Sequence, residues 1–276
     1  MYVQPDEALT RKPVTVPGLR AMKKHGQKIA VLTCYDASFA AHMEAAGVDV
    51  VLVGDSLGMV VQGNTSTLPV TLDEMVYHTR LVSRGVVSTL LVADMPFMQF
   101  RNPDVALAGA GRLLAEGGAA MVKLEGGDGW TCDVIAALTA HEVPVCAHLG
   151  LTPQSVHRMG GYRMQGKTED AATRLHAQAK AVVAAGAGLL VLESVPSALA
   201  GEITREIPIP TIGIGAGADT DGQVLVCYDM LGITPGRRPK FSKDFLAGRG
   251  SIRDAIVAYA DDVRAGRFPG PEQIAR

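Results

Sequence analysis

Short, mostly apolar runs recur along the chain, at 29–33, 50–53, 89–93, 120–124, 143–147, 189–192, 210–214 and 223–227. Such runs, without polar alternation, mark strands buried on both faces. Between most of them lie stretches with helical patterning, at 37–46, 72–85, 103–117, 129–141, 170–185 and 197–206. The ends of these stretches carry helix punctuation. Gly47 and Gly186 stand where a helix C-terminus favours glycine, Asn102 and Pro103 read as an N-cap followed by a first-turn proline, and Asp73 and Glu74 complement a helix dipole. A return between parallel strands has to cross a face of the sheet, so repeated strand–helix units predict a parallel sheet. Eight such strands in one domain of this length predict a closed (β/α)8 barrel of the TIM type, with a doubly wound open sheet as the second choice.

The flanks read differently. Residues 1–28 are polar and hold Pro5, Pro13 and Pro17, which predicts an N-terminal extension, with an edge strand over 14–17 and a short helix over 18–26. Residues 29–276 form the barrel and its closing segment. Within it, 234–245 is rich in proline and basic residues and is expected to lie over one barrel face. A helix over 251–265 puts Ile252, Ile256, Tyr259 and Val263 on one side. The last ten residues are expected to be loosely ordered.

Composition narrows the function class. With 47% hydrophobic residues the chain has ample material for a large core, and a net charge of −2 gives no electrostatic reason to expect a nucleic acid or an anionic membrane as partner. No basic start followed by an apolar core marks a signal peptide, and no uncharged apolar run approaches the ~20 residues that span a bilayer. The expected location is the cytoplasm. Cys34, Cys132, Cys146 and Cys227 form no CxxC pair and lie mostly in strand-like runs, so they read as buried reduced thiols.

The strand ends carry the candidate chemistry. They hold Asp36, Asp55, Asp94, Lys123 with Glu125, His148, and Glu193. In a barrel all strand carboxyl ends meet on one face, so these groups are expected to share a cavity. Converging carboxylates repel unless a cation neutralises them. With no zinc-type cluster of Cys and His, the hard oxygens suit magnesium, for which Asp55 and Asp94 are the best ligands and Glu125 a direct or water-mediated one. Such a site could chelate a 2-oxo acid through its keto and carboxylate oxygens and acidify the adjacent C–H. Glu193 then fits the base, and Lys123 the cation near the substrate oxygens. Lys123 and Glu125 lie two apart on one strand and so face the same side. The 213–217 stretch, GIGAG, looks like a phosphate turn but has no following lysine, and close backbone packing accounts for it.

A resemblance sharpens this picture. VGDSLGMVVQG, STLPVTLDEMVYHT, ADMPF, MVKLEGG, AHLGLTPQSV, GGYRMQG, VLESVP, IGIGAG, TDGQVLV, DMLGI and PKF follow one another in order. From about Gly18 to Phe268 the chain resembles the ketopantoate hydroxymethyltransferase family, magnesium-dependent barrels of the phosphoenolpyruvate mutase and isocitrate lyase type. The resemblance implies hydroxymethyl transfer from 5,10-methylenetetrahydrofolate to 3-methyl-2-oxobutanoate, giving 2-dehydropantoate on the route to pantothenate and coenzyme A. It implies one magnesium ion per subunit on Asp55 and Asp94 with Glu125 as an outer ligand. It places substrate binding on Ser56, Lys123 and His148, beside the two aspartates that hold the chelated substrate, and the base on Glu193. It also implies a homo-oligomer, a decamer of pentameric rings. The GGYRMQG stretch could be a lid or a subunit contact, and His78 and His157 are weaker candidates.

Two alternatives stay open on the sequence. One is another magnesium-dependent enzyme that makes or breaks a C–C bond in a 2-oxo acid, although the cysteine loop of the mutase and lyase relatives is missing. The other is a non-catalytic ring-forming scaffold whose acids only make salt bridges.

Overall fold

Eight parallel strands pair in chain order and close on themselves, β1 (Ile29–Thr33), β2 (Val50–Val53), β3 (Leu90–Asp94), β4 (Met121–Glu125), β5 (Val145–Gly150), β6 (Leu189–Glu193), β7 (Thr211–Ile214) and β8 (Gly222–Leu225). The structure, a computed structural model, describes residues 11–236 and 238–274, so the first ten residues of the expected N-terminal extension and the end of the chain lie outside the described residues. The closed barrel is the expected architecture, and the open sheet is excluded. Alternate residues point inward and fill it, among them Ile29, Val31, Val50, Leu52, Leu90, Val92, Met121, Cys146, Val191 and Val224. Their neighbours in each strand point outward and pack against helices. The barrel is therefore a packed core up to the level where the polar strand ends begin.

The helices follow the expected rhythm. They are α1 (Val16–Lys24), α2 (Ala37–Ala45), α3 (Leu57–Val60), α4 (Leu72–Ser83), α5 (Pro103–Ala115), α6 (Gly129–Ala140), α7 (Val156–Met159), α8 (Glu169–Ala184), α9 (Ser197–Glu206), α10 (Cys227–Met230) and α11 (Ile252–Arg264). Thr71 caps α4 by accepting from the Glu74 N–H while Glu74 reaches back to Thr71, a full capping box. Asn102 caps α5 as expected.

Three expectations fail for physical reasons. The edge strand over 14–17 is absent. Val14 makes one strand-like bond, its N–H to the Ser88 carbonyl at 2.7 Å, and then Thr15 caps a helix with Pro17 in its first turn. That helix, α1, seats Leu19 in the amino-terminal end of the barrel. The last strand stops at Leu225, because the Cys227 N–H turns aside to the Thr33 hydroxyl at 2.9 Å and starts α10. The end of the chain is not loose where it is described: Phe268 is buried against Phe245 and Tyr259 at ring distances of 5.5 and 5.7 Å. Tyr259 in turn sets its hydroxyl 2.8 Å from the Val31 carbonyl and 2.9 Å from that of Gln223, so α11 seals the seam between β1 and β8. All four cysteines are free thiols and three are buried, as expected.

One buried charge far from the cavity sets a testable stability. Glu44 on α2 accepts the backbone N–H groups of Val87, Ser88 and Thr89 at 3.1, 2.9 and 2.9 Å, as well as the Ser88 hydroxyl. Burial opposes its charge, but the Ser88 hydroxyl and the backbone donors outweigh it and hold the carboxyl below its usual range. A depressed carboxyl pKa contributes stability above the unfolded value, and that contribution is lost as pH falls through the folded one. Glu44→Gln turns an amide NH2 toward these donors and should cost about 3 kcal/mol near neutral pH. Urea unfolding at pH 7 and pH 4 checks it. The gap between wild type and variant should narrow in acid, and a gap that stays constant would rule out the charge as its source.

Candidate active site

The register of the strands assembles the site. Asp94 pairs opposite Lys123, and Glu125 opposite His148. Opposed positions of parallel strands stand side by side on one face, so these partners meet directly. Lys123 Nζ lies 2.6 Å from Asp94 Oδ1. His148 Nδ1 lies 3.6 Å from Glu125 Oε1, and its Nε2 3.3 Å from Glu193 Oε2 at the end of β6. Asp55, just past β2, donates its backbone N–H to Asp94 Oδ2 at 3.0 Å. Asp55, Asp94, Lys123, Glu125, His148 and Glu193 thus converge on one face, as the strand ends predicted. Ser56 joins from the side, with Oγ 2.9 Å from the hydroxyl of buried Tyr35. Gly54 makes room for this approach, since a Cβ there would sit 2.7 Å from Ser56 Oγ and 3.6 Å from Asp94 Oδ2.

The cluster is buried and unbalanced. Three carboxylates, Asp55, Asp94 and Glu125, face one ammonium. Burial pushes the Asp55 carboxyl well up, and the charges of Asp94 and Glu125 push it further. Burial works against the Lys123 ammonium too, but Asp94, Glu125 and Asp55 together outweigh it and raise its pKa. At His148, burial and Lys123 oppose a protonated ring, yet Glu125 and Glu193 prevail and raise its pKa. Neither ring nitrogen of His148 closes a full hydrogen bond. Glu193 is the outermost member, with 15% of its side chain exposed where Asp94 and Glu125 keep 5% and 4%. It alone combines contact with the cluster and access from outside.

The donor chemistry fits magnesium. The excess negative charge calls for a cation, and every acidic ligand on offer is a hard oxygen. Among the described residues no three acid, imidazole or thiol groups already form a metal cage. Asp94 Oδ1 and Asp55 Oδ2 are meanwhile occupied by Lys123 and by the Gln154 amide.

Gln154 escaped the sequence reading. It lies in a single 3-10 turn, Pro153–Ser155, beyond β5. Its amide reaches Asp55 and its backbone N–H reaches Glu125, and nothing in a run such as LTPQS announces either contact. Tyr35 was missed as well, although it adjoins a strand end. Conversely, Asp36 does not join the cluster, because its carboxylate caps α2 by accepting from the Phe39 N–H at 2.9 Å. His78 hydrogen-bonds the Tyr35 carbonyl at 2.7 Å and packs edge-on to Tyr77, and His157 is exposed. In the GIGAG stretch a Cβ at Gly217 would meet Ser197 Oγ at 2.0 Å, so close packing explains that glycine.

The GGYRMQG stretch borders the same face. The Gln165 N–H donates to the carbonyl of Ser194, the residue after Glu193, at 2.9 Å. Ser194 itself holds a left-handed φ of 48°. The Tyr162 hydroxyl comes within 3.7 Å of Met59 Sδ, and partial burial, then the charges of Glu193, Asp55 and Glu125, raise its pKa. A cleft of about 610 Å³ opens at the opposite end of the barrel, beside Arg11, Lys28, Asp49 and Arg264. Both arginines there are paired with Asp49, and Lys28 is held by the carbonyls of Ala218 and Thr220, so among the described residues no free charged group faces it.

Comparison with known proteins points to one family. A family model described as ketopantoate hydroxymethyltransferase matches residues 13–271. Proteins named 3-methyl-2-oxobutanoate hydroxymethyltransferase from Paraburkholderia phymatum and Burkholderia thailandensis are 56% and 57% identical over 263 residues, covering 95% of this chain and 96% of theirs. Among solved structures, phosphonopyruvate hydrolase in complex with oxalate and Mg++ aligns with a TM-score of 0.59 at 15% identity, covering 92% of this chain and 98% of that one. 2,3-Dimethylmalate lyase, a PEP mutase/isocitrate lyase superfamily member, aligns at 0.57 and 17% identity, covering 79% of each chain. At such identities these structures share the fold.

Proposed function

The chain belongs to the ketopantoate hydroxymethyltransferase family, and on that premise we propose that its carboxyl-end cluster carries out hydroxymethyl transfer to 3-methyl-2-oxobutanoate, the activity its relatives are named for. This is the first step of pantothenate biosynthesis. Identity this high over nearly the whole chain leaves no ground for a scaffold or for a different 2-oxo-acid enzyme.

The observation that carries the assignment of roles is the convergence of Asp55, Asp94, Lys123, Glu125, His148 and Glu193 on one barrel end. Asp55 and Asp94 would hold magnesium, with Glu125 as an outer ligand. A magnesium ion held by these residues would supply Lewis acidity that makes the C3–H of the 2-oxo acid more acidic. Glu193 accepts the C3 proton on a carboxylate oxygen, a task that suits the one acid open to the outside. Lys123 keeps its ammonium charged and opposes the negative charge that grows on the substrate oxygen as that proton leaves. Ser56, steadied by Tyr35, offers a hydroxyl to the substrate carboxylate. His148 stands between Glu125 and Glu193, where it orients the base and faces the new hydroxymethyl group. C3 then bonds to the methylene carbon of 5,10-methylenetetrahydrofolate in place of the lost proton, and one water supplies the new hydroxyl as the bond from that carbon to the folate nitrogen breaks and tetrahydrofolate leaves.

The folate has to enter over the rim. Met59, Phe97, Met98, Trp130 and Tyr162 are exposed in the segments that follow the carboxyl ends of β2 to β5, and they offer apolar and aromatic faces to a flat pterin. The decamer of pentameric rings belongs to the same proposal, and exposed Tyr77 and Val87 offer apolar outer surface for it. Sedimentation velocity reads its size. No helix among the described residues is long and apolar enough to cross a membrane.

Proton–deuterium exchange at C3 of 3-methyl-2-oxobutanoate, followed by NMR in D2O, tests the reading. Exchange should require magnesium, stop with EDTA, and give way to product when the folate donor is added. Turnover that survives complete metal removal would sink the metal role.

A further inference from the structure

Resting on the metal assignment above, we infer that Gln154 is a positioning residue that fixes the Asp55 and Glu125 carboxylates as a pair. One residue reaches both. Its backbone N–H donates to Glu125 Oε2 at 2.9 Å, and its side-chain Nε2 donates to Asp55 Oδ2 at 2.8 Å and to the Met95 carbonyl at 3.0 Å. The Met95 carbonyl can only accept, so the amide has one orientation, with the NH2 group toward it and toward Asp55. That leaves Oε1 buried and without a protein partner among the described residues.

One buried residue donates to both carboxylates, and an apolar side chain of the same size would fill the space without reaching Asp55. The arrangement makes sense if aiming the carboxylates is what the side chain is for. Asp55 stands on the loop after β2 and Glu125 on β4, with β3 between them, and no direct contact joins their carboxylates to one another. Gln154 bridges that gap across the mouth from the β5 side. The Asp55 hydrogen bond also fixes which oxygen of that carboxylate stays free for a cation. Outer groups that orient metal-binding carboxylates typically change metal affinity by 10- to 100-fold when replaced.

The test is Mn2+ binding to the intact protein, read by electron paramagnetic resonance of the free ion, beside thermal unfolding without metal. Gln154→Met keeps the volume and the backbone N–H but removes the amide. Affinity for Mn2+ should fall at least tenfold, and raising the metal concentration should recover most of the lost kcat. Gln154→Asn, which stays polar but is a methylene shorter, should lose affinity in the same direction, and it serves if the Met variant does not fold. Wild-type affinity in a folded variant, whatever its melting temperature, would overturn the inference and leave the metal assignment standing. A wild-type protein that binds no Mn2+ would overturn both.

Discussion

Glu193→Gln should reduce turnover by about 10³- to 10⁴-fold, the range at the upper end of what a positioned general base supplies. Glutamine keeps the size and the reach toward His148 Nε2, 3.3 Å away in the native protein, but it cannot accept a proton at the working pH. The carboxylate sits at the outer edge of the cluster, so its replacement leaves the contacts among Asp55, Asp94, Lys123 and Glu125 untouched. Magnesium and 2-oxo-acid binding should therefore stay within about threefold of wild type, while C3 exchange in D2O disappears along with product formation. Loss of exchange with binding retained is the signature of a proton-transfer role. A variant that still exchanges C3 at the native rate would move the base elsewhere, and His148 would be the next group to examine. A variant that loses metal as well would show Glu193 to be part of the metal's support.

The fold was legible because its signal is local. Strands such as β2 and β4 are apolar at nearly every position up to a polar end, a pattern that marks a parallel strand covered on both faces, and eight of them in one domain favour closure into a barrel. The inward alternation of Lys123 and Glu125 could be read from their spacing, and the register puts their partners Asp94 and His148 beside them. Gln154 was not legible for the opposite reason. It meets Asp55 across 99 residues and Glu125 across 29, and its role lies wholly in those contacts. Asp36 shows the same limit from the other side. It ends a strand as Asp55 does, but its first duty is the Phe39 N–H, and no pattern in the chain separates a capping acid from a cavity acid. Short helices such as α3, α7 and α10 were missed because four residues carry too little periodicity to count.

Lys123→Met should separate charge balance from metal binding. Lys123 is buried, and its Nζ contacts Asp94 Oδ1 at 2.6 Å beneath two further carboxylates. Methionine fills nearly the same volume without charge. The variant leaves the Asp94 oxygen buried with no counterion, and breaking a buried pair by removing one partner costs about 3–5 kcal/mol. Urea unfolding of the metal-free proteins should show that loss. Magnesium should then stabilise the variant more than the wild type, because the ion meets three carboxylates with no competing ammonium. Metal affinity is expected to hold or tighten. Turnover is nonetheless expected to fall about 10²- to 10³-fold, since the fixed positive charge that opposes the growing charge on the substrate oxygen is gone. Two outcomes would count against this division of labour. Near-native turnover at saturating magnesium would mean that Lys123 serves only to hold Asp94 in a stable fold. Lost metal affinity would mean that the Lys123–Asp94 pair shapes the metal site itself, and that the ammonium aims the aspartate more than it serves the substrate.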